Sequence, residues 1–217
     1  MSATQLGLRE RKKLRTRATI IDVAFKLFAE QGYHETTLVQ IAEMAEISPS
    51  TFFNYFPAKV DIVFGVIDAI TESARTRIEM RDPAEPTVTT IVSWVREDLL
   101  EVERPYFEVL RLLPIVAESV PELVAEQRLR LALLEDVFAQ GFAAELSEPA
   151  DGMKARVMSA IAVRGMTEVW LAWYEHHMSD ATFDPTELVA IKAEFLEKAL
   201  NAGLAAIQTL PAPPEDA

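Results

Sequence analysis

The sequence predicts an all-α protein in which a small N-terminal helical unit precedes a larger helical region. Apolar residues recur at three- and four-residue spacing along most of the chain, which is the spacing of an amphipathic helix. Prolines interrupt this pattern, and no segment alternates apolar and polar residues as a half-buried strand does. Half of the 217 residues are hydrophobic, so the chain has enough apolar material for a folded core.

The first predicted helix runs from about Arg11 to Gln31. Its apolar residues follow helical spacing and share one face, and Gly32 supplies a C-terminal stop. The residues of this face are Ile20, Ile21, Ala24, Phe25, Leu27 and Phe28.

Two short helices are predicted next. Thr37 with Gln40 three residues later forms a capping box at the start of the second helix. Ser48 caps the third helix, with Pro49 at its first position, where a missing N–H costs nothing. Because Pro57 disfavours helical geometry in the residue before it, the third helix is expected to end near that point.

The second and third helices have the spacing of a helix-turn-helix, with residues 45–47 as the connection. In this motif the second of the two helices places its N-terminal residues against base edges in the major groove. Phe52 and Phe56 lie four residues apart and are predicted to pack inward, on Phe25, Phe28 and Ile41. The other residues of the third helix form an outward set: Pro49, Ser50, Thr51, Phe53, Asn54 and Tyr55.

The rest of the chain is predicted to be helical up to a short tail. A fourth helix begins at Lys59 and ends near Arg81. Further helical stretches lie near 87–103, 105–117, 121–146, 153–178 and 185–208. The tail, 211–217, is rich in proline and is expected to be disordered.

Charge divides the chain unevenly. Residues 1–60 contain eight Lys or Arg against six Asp or Glu, whereas residues 61–217 contain thirteen against twenty-eight. The basic residues of the first 26 positions are Arg9, Arg11, Lys12, Lys13, Arg15, Arg17 and Lys26. Such a cluster suits an arm that contacts phosphates, and the acidic remainder would be repelled by DNA. A solvated, frayed terminus is the alternative interpretation.

Composition excludes several classes of protein. The chain has no cysteine, which excludes disulfides, thiolate metal sites and cysteine nucleophiles. No stretch approaches the roughly 18 consecutive apolar residues of a membrane-spanning helix, and residues 1–14 are charged where a signal peptide is apolar. We therefore expect a cytoplasmic protein without a membrane segment.

Catalysis has little support in the residues. His176 and His177 are adjacent, so on a helix they point about 100° apart, whereas a zinc helix needs histidines at i and i+4. No phosphate-cradling glycine loop, metal-ligand cluster or nucleophile paired with a base is evident. The sequence therefore predicts no enzymatic activity, no cofactor and no metal.

Residues 16–62 resemble the DNA-binding domain of the TetR family of bacterial repressors. The matching pieces are Ala24-Phe25-Lys26-Leu27-Phe28, Gly32-Tyr33, Thr36-Thr37, Ile41-Ala42, the run from Ser48 to Phe56, and Lys59. The resemblance implies that Thr37, Tyr55 and Lys59 hold phosphates, while Arg15 and Arg17 reach the flanking backbone or the minor groove. It also implies that Pro49, Ser50, Thr51 and Asn54 approach bases.

Two residues depart from the family pattern. Glu46 stands where many members have glycine, and it would need a turn geometry that costs about 1 kcal/mol for a residue with a Cβ. Phe53 stands where many members have tyrosine, so it lacks a hydroxyl for phosphate, but its ring could pack on a thymine methyl. We include Phe53 among the expected DNA-binding residues.

The resemblance implies a division into a DNA-binding head at 1–58, with the basic arm, and an antiparallel helical ligand-binding and dimerisation domain at 59–210. Two apolar stripes lie on its last two helices, at 153–178 and 185–208. Plain intramolecular core explains such stripes as well, but the resemblance implies that this helix pair forms a homodimer. The expected function is then a ligand-responsive repressor that binds an inverted-repeat DNA operator as a dimer. A helical adaptor that binds only protein is the alternative.

An apolar cavity for a hydrophobic or amphipathic effector is expected in the second domain. The candidate lining residues, for each of which a core position is an equal alternative, are Trp94, Phe107, Leu110, Leu113, Phe138, Phe142, Met158 and Trp170. Possible anionic anchors are Arg104, Arg111, Arg128 and Arg164. The segments 112–114 and 121–123 resemble sensor domains of actinobacterial regulators that respond to fatty acyl thioesters, which makes an acyl thioester one candidate effector.

Overall fold

The computed structural model describes residues 8–103, 113, 116, 120–177 and 185–209. These residues are helical and turn structure without any strand, which confirms the predicted all-α class. The helices are α1 Leu8–Gln31, α2 Leu38–Met44, α3 Pro49–Phe53, α4 Lys59–Met80, α5 Thr87–Trp94, α6 Leu100–Glu103, α7 Pro121–Leu146, α8 Met153–His177 and α9 Pro185–Ile207. Among the described residues, no helix is both long and apolar enough to cross a membrane.

Several predictions fall on residues that are not described. The expected helix at 105–117 lies outside the described residues except for Leu113 and Val116, and the tail at 211–217 lies wholly outside them. The candidate lining residues Phe107 and Leu110, with the arginines at 104 and 111, are also outside.

Helix α3 is shorter than predicted. It ends at Phe53 instead of near Phe56, because the chain tightens into a turn there. The N–H of Asn54 donates to the carbonyl oxygen of Thr51 at 3.2 Å, and the N–H of Tyr55 donates to that of Phe52 at 2.8 Å. Bonds over three residues tighten a helix end and satisfy carbonyls that an α-helix would leave open.

The stretch predicted as one helix at 87–103 contains a π-helical segment, Val95–Leu99, between α5 and α6. Three residues of this segment form ion pairs. The Arg77 guanidinium lies 3.1 Å from a Glu97 carboxylate oxygen and 3.4 Å from one of Asp98, and Arg96 lies 2.8 Å from Glu197 of α9. The apolar spacing at 87–103 is that of an ordinary α-helix and does not predict this irregularity.

The chain forms two compact units. The first comprises residues 1–68 and 103–129, and the second comprises 69–102 and 130–217. In the first unit, α1, α2 and the segment 49–56, here called the α3 region, contribute a buried core. It includes the whole predicted inward set of the head, which is therefore confirmed: Phe25, Phe28, Ile41, Phe52 and Phe56.

The second unit has a core built from α5, α7, α8 and α9. Glycines allow α8 and α9 to lie close together. A Cβ on Gly165 would overlap the ring of Phe195, and a Cβ on Gly203 would lie 3.1 Å from Met158 Sδ and from Ile161 Cδ1. These two glycines therefore permit the close approach of α8 and α9.

Candidate nucleic-acid interface

The turn between α2 and α3 is a helix C-terminal motif closed by Glu46. The N–H of Glu46 donates to the carbonyl oxygen of Glu43, and the N–H of Ile47 donates to that of Ala42, both at 3.0 Å. These two bonds are those of a Schellman motif, which needs a left-handed residue after the helix. Glu46 has φ of 56°, so the predicted strained geometry at this position is confirmed.

Helix α2 begins with the predicted capping box. The Thr37 hydroxyl accepts a 3.2 Å hydrogen bond from the N–H of Gln40, and the Gln40 side chain accepts a 2.8 Å bond from the N–H of Thr37. Because both bonds lock the first turn, the exposed Thr37 side chain stands at a fixed position on the surface.

Helix α3 is opened by a cluster of three hydroxyl groups. The Ser48 hydroxyl accepts a 3.1 Å hydrogen bond from the N–H of Thr51. The same oxygen lies 2.9 Å from the hydroxyl of Ser50 and 2.8 Å from that of Thr51. Each hydroxyl is therefore held by a neighbour, and the cap fixes where the helix starts.

The residues of the α3 region alternate between core and surface as predicted. Phe52 and Phe56 are fully buried, and their ring centroids lie 6.2 Å apart. Thr51 and Tyr55 are half-buried. The exposed residues are Pro49, Ser50, Phe53 and Asn54, and Phe53 leaves 52% of its surface accessible. This exposed face therefore combines an apolar ring with side chains that can form hydrogen bonds.

Lys59 lies at the start of α4 and faces the turn that follows α1. Its Nζ donates hydrogen bonds to the carbonyl oxygens of Tyr33, at 2.6 Å, and Thr36, at 2.9 Å, and lies 4.2 Å from the centroid of the Tyr33 ring. Burial lowers the pKa of Lys59, and the carboxylate of Glu35 opposes that shift. Two of the three ammonium donors are thus engaged within the head.

The two arginines predicted for the arm have different surroundings. Arg15 is exposed. Arg17 is half-buried, its guanidinium donates a 3.1 Å hydrogen bond to the carbonyl oxygen of Tyr55, and its Cζ lies 4.3 Å from the centroid of the Phe56 ring. Arg17 therefore packs inside the head. Its spacing from Ile21 and Ala24, four and seven residues on, is the signal that could have placed it on the core face of α1.

Acidic residues from the start of α7 approach the turn after α1 within the first unit. His34 Nε2 lies 3.9 Å from a carboxylate oxygen of Glu122, and both side chains are exposed. Burial raises the pKa of the Tyr33 phenol, and the carboxylates of Asp61, Glu122 and Glu126 raise it further. The head is therefore in electrostatic contact with α7 at this point.

The candidate effector-lining residues occupy different environments. Four of them belong to the buried core of the second unit: Trp94, Phe138, Phe142 and Met158. The rings of Trp94 and Phe138 meet edge to face at 5.8 Å, and Trp94 Nε1 donates to the Ser73 hydroxyl at 3.0 Å. Leu113 is buried in the first unit, and Trp170 of α8 is half-buried.

The candidate anchors that can be described are on the surface. Arg128 is exposed, and Arg164 is exposed and lies 2.5 Å from Glu168 one helical turn away. Neither side chain lines the core of the second unit. Within the described part of the chain, no three residues among His, Asp and Glu are grouped so that they could hold a metal ion.

Comparison with known proteins identifies the segment that contains this interface. The family described as "Bacterial regulatory proteins, tetR family" matches residues 20–66. The chain is 44% identical over 79 residues to the HTH-type transcriptional regulator TcmR of Streptomyces glaucescens, which is 36% of this chain and 35% of TcmR. The chain therefore matches only about a third of the length of this curated relative.

Two solved structures share the fold over most of the chain. The TetR-family repressor FadR of Thermus thermophilus, in complex with lauroyl-CoA, has a TM-score of 0.53 at 23% identity and covers 93% of this chain and 100% of its own. FadR of Bacillus subtilis, in complex with stearoyl-CoA, has a TM-score of 0.54 at 22% identity and covers 84% and 96%. The segment at residues 20–66, which contains the capped helix-turn-helix at 37–56, is therefore similar to the DNA-binding segment of TetR-family regulators, and the chain as a whole shares the fold of the two FadR structures.

Proposed function

We propose that the chain is a ligand-responsive transcriptional repressor that binds an inverted-repeat operator in double-stranded DNA as a dimer. One observation carries the proposal: Ser50, Phe53 and Asn54 are exposed beside the cap of α3, while Phe52 and Phe56 anchor that segment in the core. A rigidly held helix with exposed hydrogen-bonding side chains is what insertion into a major groove requires.

Within the proposed head, 1–58, the contacts divide by chemistry. The exposed face of α3 would meet bases, through Pro49, Ser50, Thr51, Phe53 and Asn54. Phosphates would be held by Arg15, Thr37 and Tyr55, and by the one donor of Lys59 that its two carbonyl partners do not use. Arg15, which is exposed, suits a long-range contact to the backbone of the DNA.

The proposed dimer forms through α8 and α9, which cover most of 153–178 and 185–208. Its support is an apolar surface on this helix pair: Ile191 and Phe195, one turn apart on α9, leave 41% and 40% of their surface accessible, and Val157 on α8 leaves 43%. A second copy of the chain would bury these side chains and set two heads on one duplex, which explains why an inverted repeat is expected.

The proposed effector is hydrophobic or amphipathic, with a fatty acyl thioester as the leading candidate. The two FadR structures named above hold lauroyl-CoA and stearoyl-CoA, and this chain shares their fold. Binding would require part of the buried set at Trp94, Phe138, Phe142 and Met158 to open around an acyl chain. An effector that prefers a conformer unsuited to the operator lowers operator affinity by its differential binding energy, typically about 1–3 kcal/mol.

A regulator of this kind works by binding alone, so we propose no enzymatic activity. We also propose the bacterial cytoplasm as its location, because that is where it would meet an operator. The test is a gel shift of the purified chain with DNA from upstream of its own gene. A salt-sensitive shift that weakens when acyl-CoA esters of increasing length are added supports the proposal. The absence of any shift at low salt would instead favour a helical adaptor that binds only protein.

A further inference from the structure

We propose that Arg17 is a positioning residue for DNA reading, and that Gly65 of α4 exists in that position to make room for it. The proposal rests on the proposed function. It assigns to Arg17 the task of holding the end of the α3 region in place, instead of the phosphate contact that the family resemblance implies.

The first step is the contact between Arg17 and the chain just after α3. The guanidinium donates a 3.1 Å hydrogen bond to the carbonyl oxygen of Tyr55, two residues after the last residue of α3. Carbonyl groups at a helix C-terminus lack partners within the helix and carry partial negative charge. Tyr55 lies just beyond that terminus, so its carbonyl oxygen has no helical partner, and the bond from the guanidinium both satisfies it and ties α1 to the segment that presents Asn54.

The second step is the surface that orients the guanidinium. Its Cζ lies 4.3 Å from the centroid of the Phe56 ring, and that ring is fully buried. Stacking on an aromatic face is favourable for arginine and leaves lysine a poor substitute. Phe56 and Tyr55 are consecutive, so Arg17 holds the same short segment by its carbonyl and by its side chain.

The third step is the space that α4 leaves. A Cβ on Gly65 would lie 2.8 Å from Nη2 of Arg17 and 3.8 Å from Cε1 of Phe56. Gly65 lies inside α4, where glycine costs about 1 kcal/mol relative to alanine. A Cβ at this position would force Nη2 of Arg17 to shift, and because Nη1 of the same planar guanidinium makes the bond to Tyr55, we expect a larger residue to weaken that bond.

The consequence is that α1, the end of the α3 region and α4 meet at one side chain. A substitution that displaces the guanidinium, such as Gly65→Ala, should change how α3 is positioned for DNA without removing any charge from the protein. Arg15 is the matched control, because it is an exposed arginine two residues away on the same helix.

The experiment is a double-mutant cycle with Arg17→Met and Gly65→Ala, measured as binding to the operator and to random duplex DNA over a range of salt. Arg17→Met should lower the preference for operator over random DNA by about tenfold, the effect of one charge-assisted hydrogen bond. The slope of log affinity against log salt should stay unchanged. Arg15→Met should reduce that slope by about 0.9, the value for one lost phosphate contact, and leave the preference intact.

Gly65→Ala keeps every charge and should lower the preference for operator over random DNA as Arg17→Met does. In the Arg17→Met background, Gly65→Ala should lower the preference for operator over random DNA little further, because the guanidinium that it would displace is absent. If Arg17→Met fails to fold, Arg17→Lys replaces it in the experiment. This variant should keep the salt slope but only part of the preference for operator over random DNA.

Three results would overturn the proposal in distinguishable ways. Additive effects of Arg17→Met and Gly65→Ala would remove the link between them. A salt slope reduced by Arg17→Met as much as by Arg15→Met, with the preference intact, would make Arg17 a phosphate contact. Failure of the unaltered chain to bind DNA would overturn the proposed function itself.

Discussion

The ammonium group of Lys59 donates a 2.6 Å hydrogen bond to the carbonyl oxygen of Tyr33 and also lies 4.2 Å from the centroid of that ring. Lys59 is the first residue of α4, and Tyr33 belongs to the turn after α1. Lys59, which is proposed to hold a phosphate, therefore also links α4 to the turn after α1. These internal bonds fix where its ammonium group could meet a phosphate.

Replacing Lys59 should reduce both stability and DNA binding. Lys59→Met leaves the carbonyl groups of Tyr33 and Thr36 without this donor, which should lower the free energy of unfolding by about 1–3 kcal/mol. Affinity should fall equally for operator and random DNA. Urea unfolding and binding titrations measure the two effects, and Lys26→Met, the loss of an exposed lysine, is the control for stability. Unchanged stability would show that the two carbonyl bonds contribute nothing.

Glu46 gives a second prediction, because it combines a strained backbone with a negative charge near the proposed DNA surface. Glu46→Gly should stabilise the head by about 1 kcal/mol, since glycine adopts φ of 56° without the steric cost of a Cβ. Glu46→Gln removes only the charge, so it should leave stability unchanged and strengthen binding to all DNA. Equal stability of the glycine and glutamine variants would contradict the strain argument.

The exposed face of α3 should determine base preference. Ser50→Ala and Asn54→Ala should each change the preference at particular base positions by about 1–3 kcal/mol while leaving the salt slope as it is. Binding to a set of single-base operator variants measures this directly. Thr37→Ala offers a contrasting substitution at a proposed phosphate contact, where affinity for every variant should fall alike. Identical base profiles for all three substitutions would remove α3 from the role of reader.

The apolar surface of α9 should control assembly. Ile191→Asp places a charge where a second copy is proposed to pack, and we expect the dimer dissociation constant to rise about thirtyfold, the effect of one strong interface residue. Met80→Asp is the control, because Met80 is 80% exposed in the same unit but lies on α4. Sedimentation equilibrium compares the two variants. Dissociation by both substitutions, or by neither, would contradict the proposed interface.

Tyr33 should titrate above the ordinary phenol pKa of about 10. Because the folded state holds this proton more tightly than the unfolded state, its contribution to stability is complete below pH 10 and is lost as pH rises through the raised pKa. Ultraviolet titration of the unaltered chain against Tyr33→Phe isolates the phenol. Glu122→Gln and Glu126→Gln should each lower its pKa. A phenol that titrates at 10 or below would contradict the burial of Tyr33, and a pKa unchanged by both glutamine substitutions would contradict the contact between the turn and α7.

The local features of the head could be predicted from the sequence because neighbouring residues determine them. Thr37 with Gln40, Ser48 with Pro49, and the strained Glu46 each act through bonds to residues at most four positions away. Arg17 could not be placed in the same way. Its position in a basic cluster suggested an exposed arm, whereas its partners Tyr55 and Gly65 are brought to it only by the folded head.

The effector-lining residues show a second limit of sequence reasoning. Helical spacing predicts correctly that Trp94, Phe138 and Met158 face inward, and all three are buried. The same spacing is compatible with a closed core and with a cavity, since both need an apolar inward face. The π-helical segment Val95–Leu99 was also unpredictable, because its residues fit an ordinary helical pattern.

Selection from a pool of random duplex DNA tests the central claim most directly, that the α3 face enters the major groove as a reader. We predict that the unaltered chain enriches one inverted repeat, and that Asn54→Ala relaxes the same base position in both half-sites. The claim would be contradicted if the unaltered chain enriched no sequence. It would also be contradicted if Asn54→Ala and Ser50→Ala both enriched the same repeat as the unaltered chain.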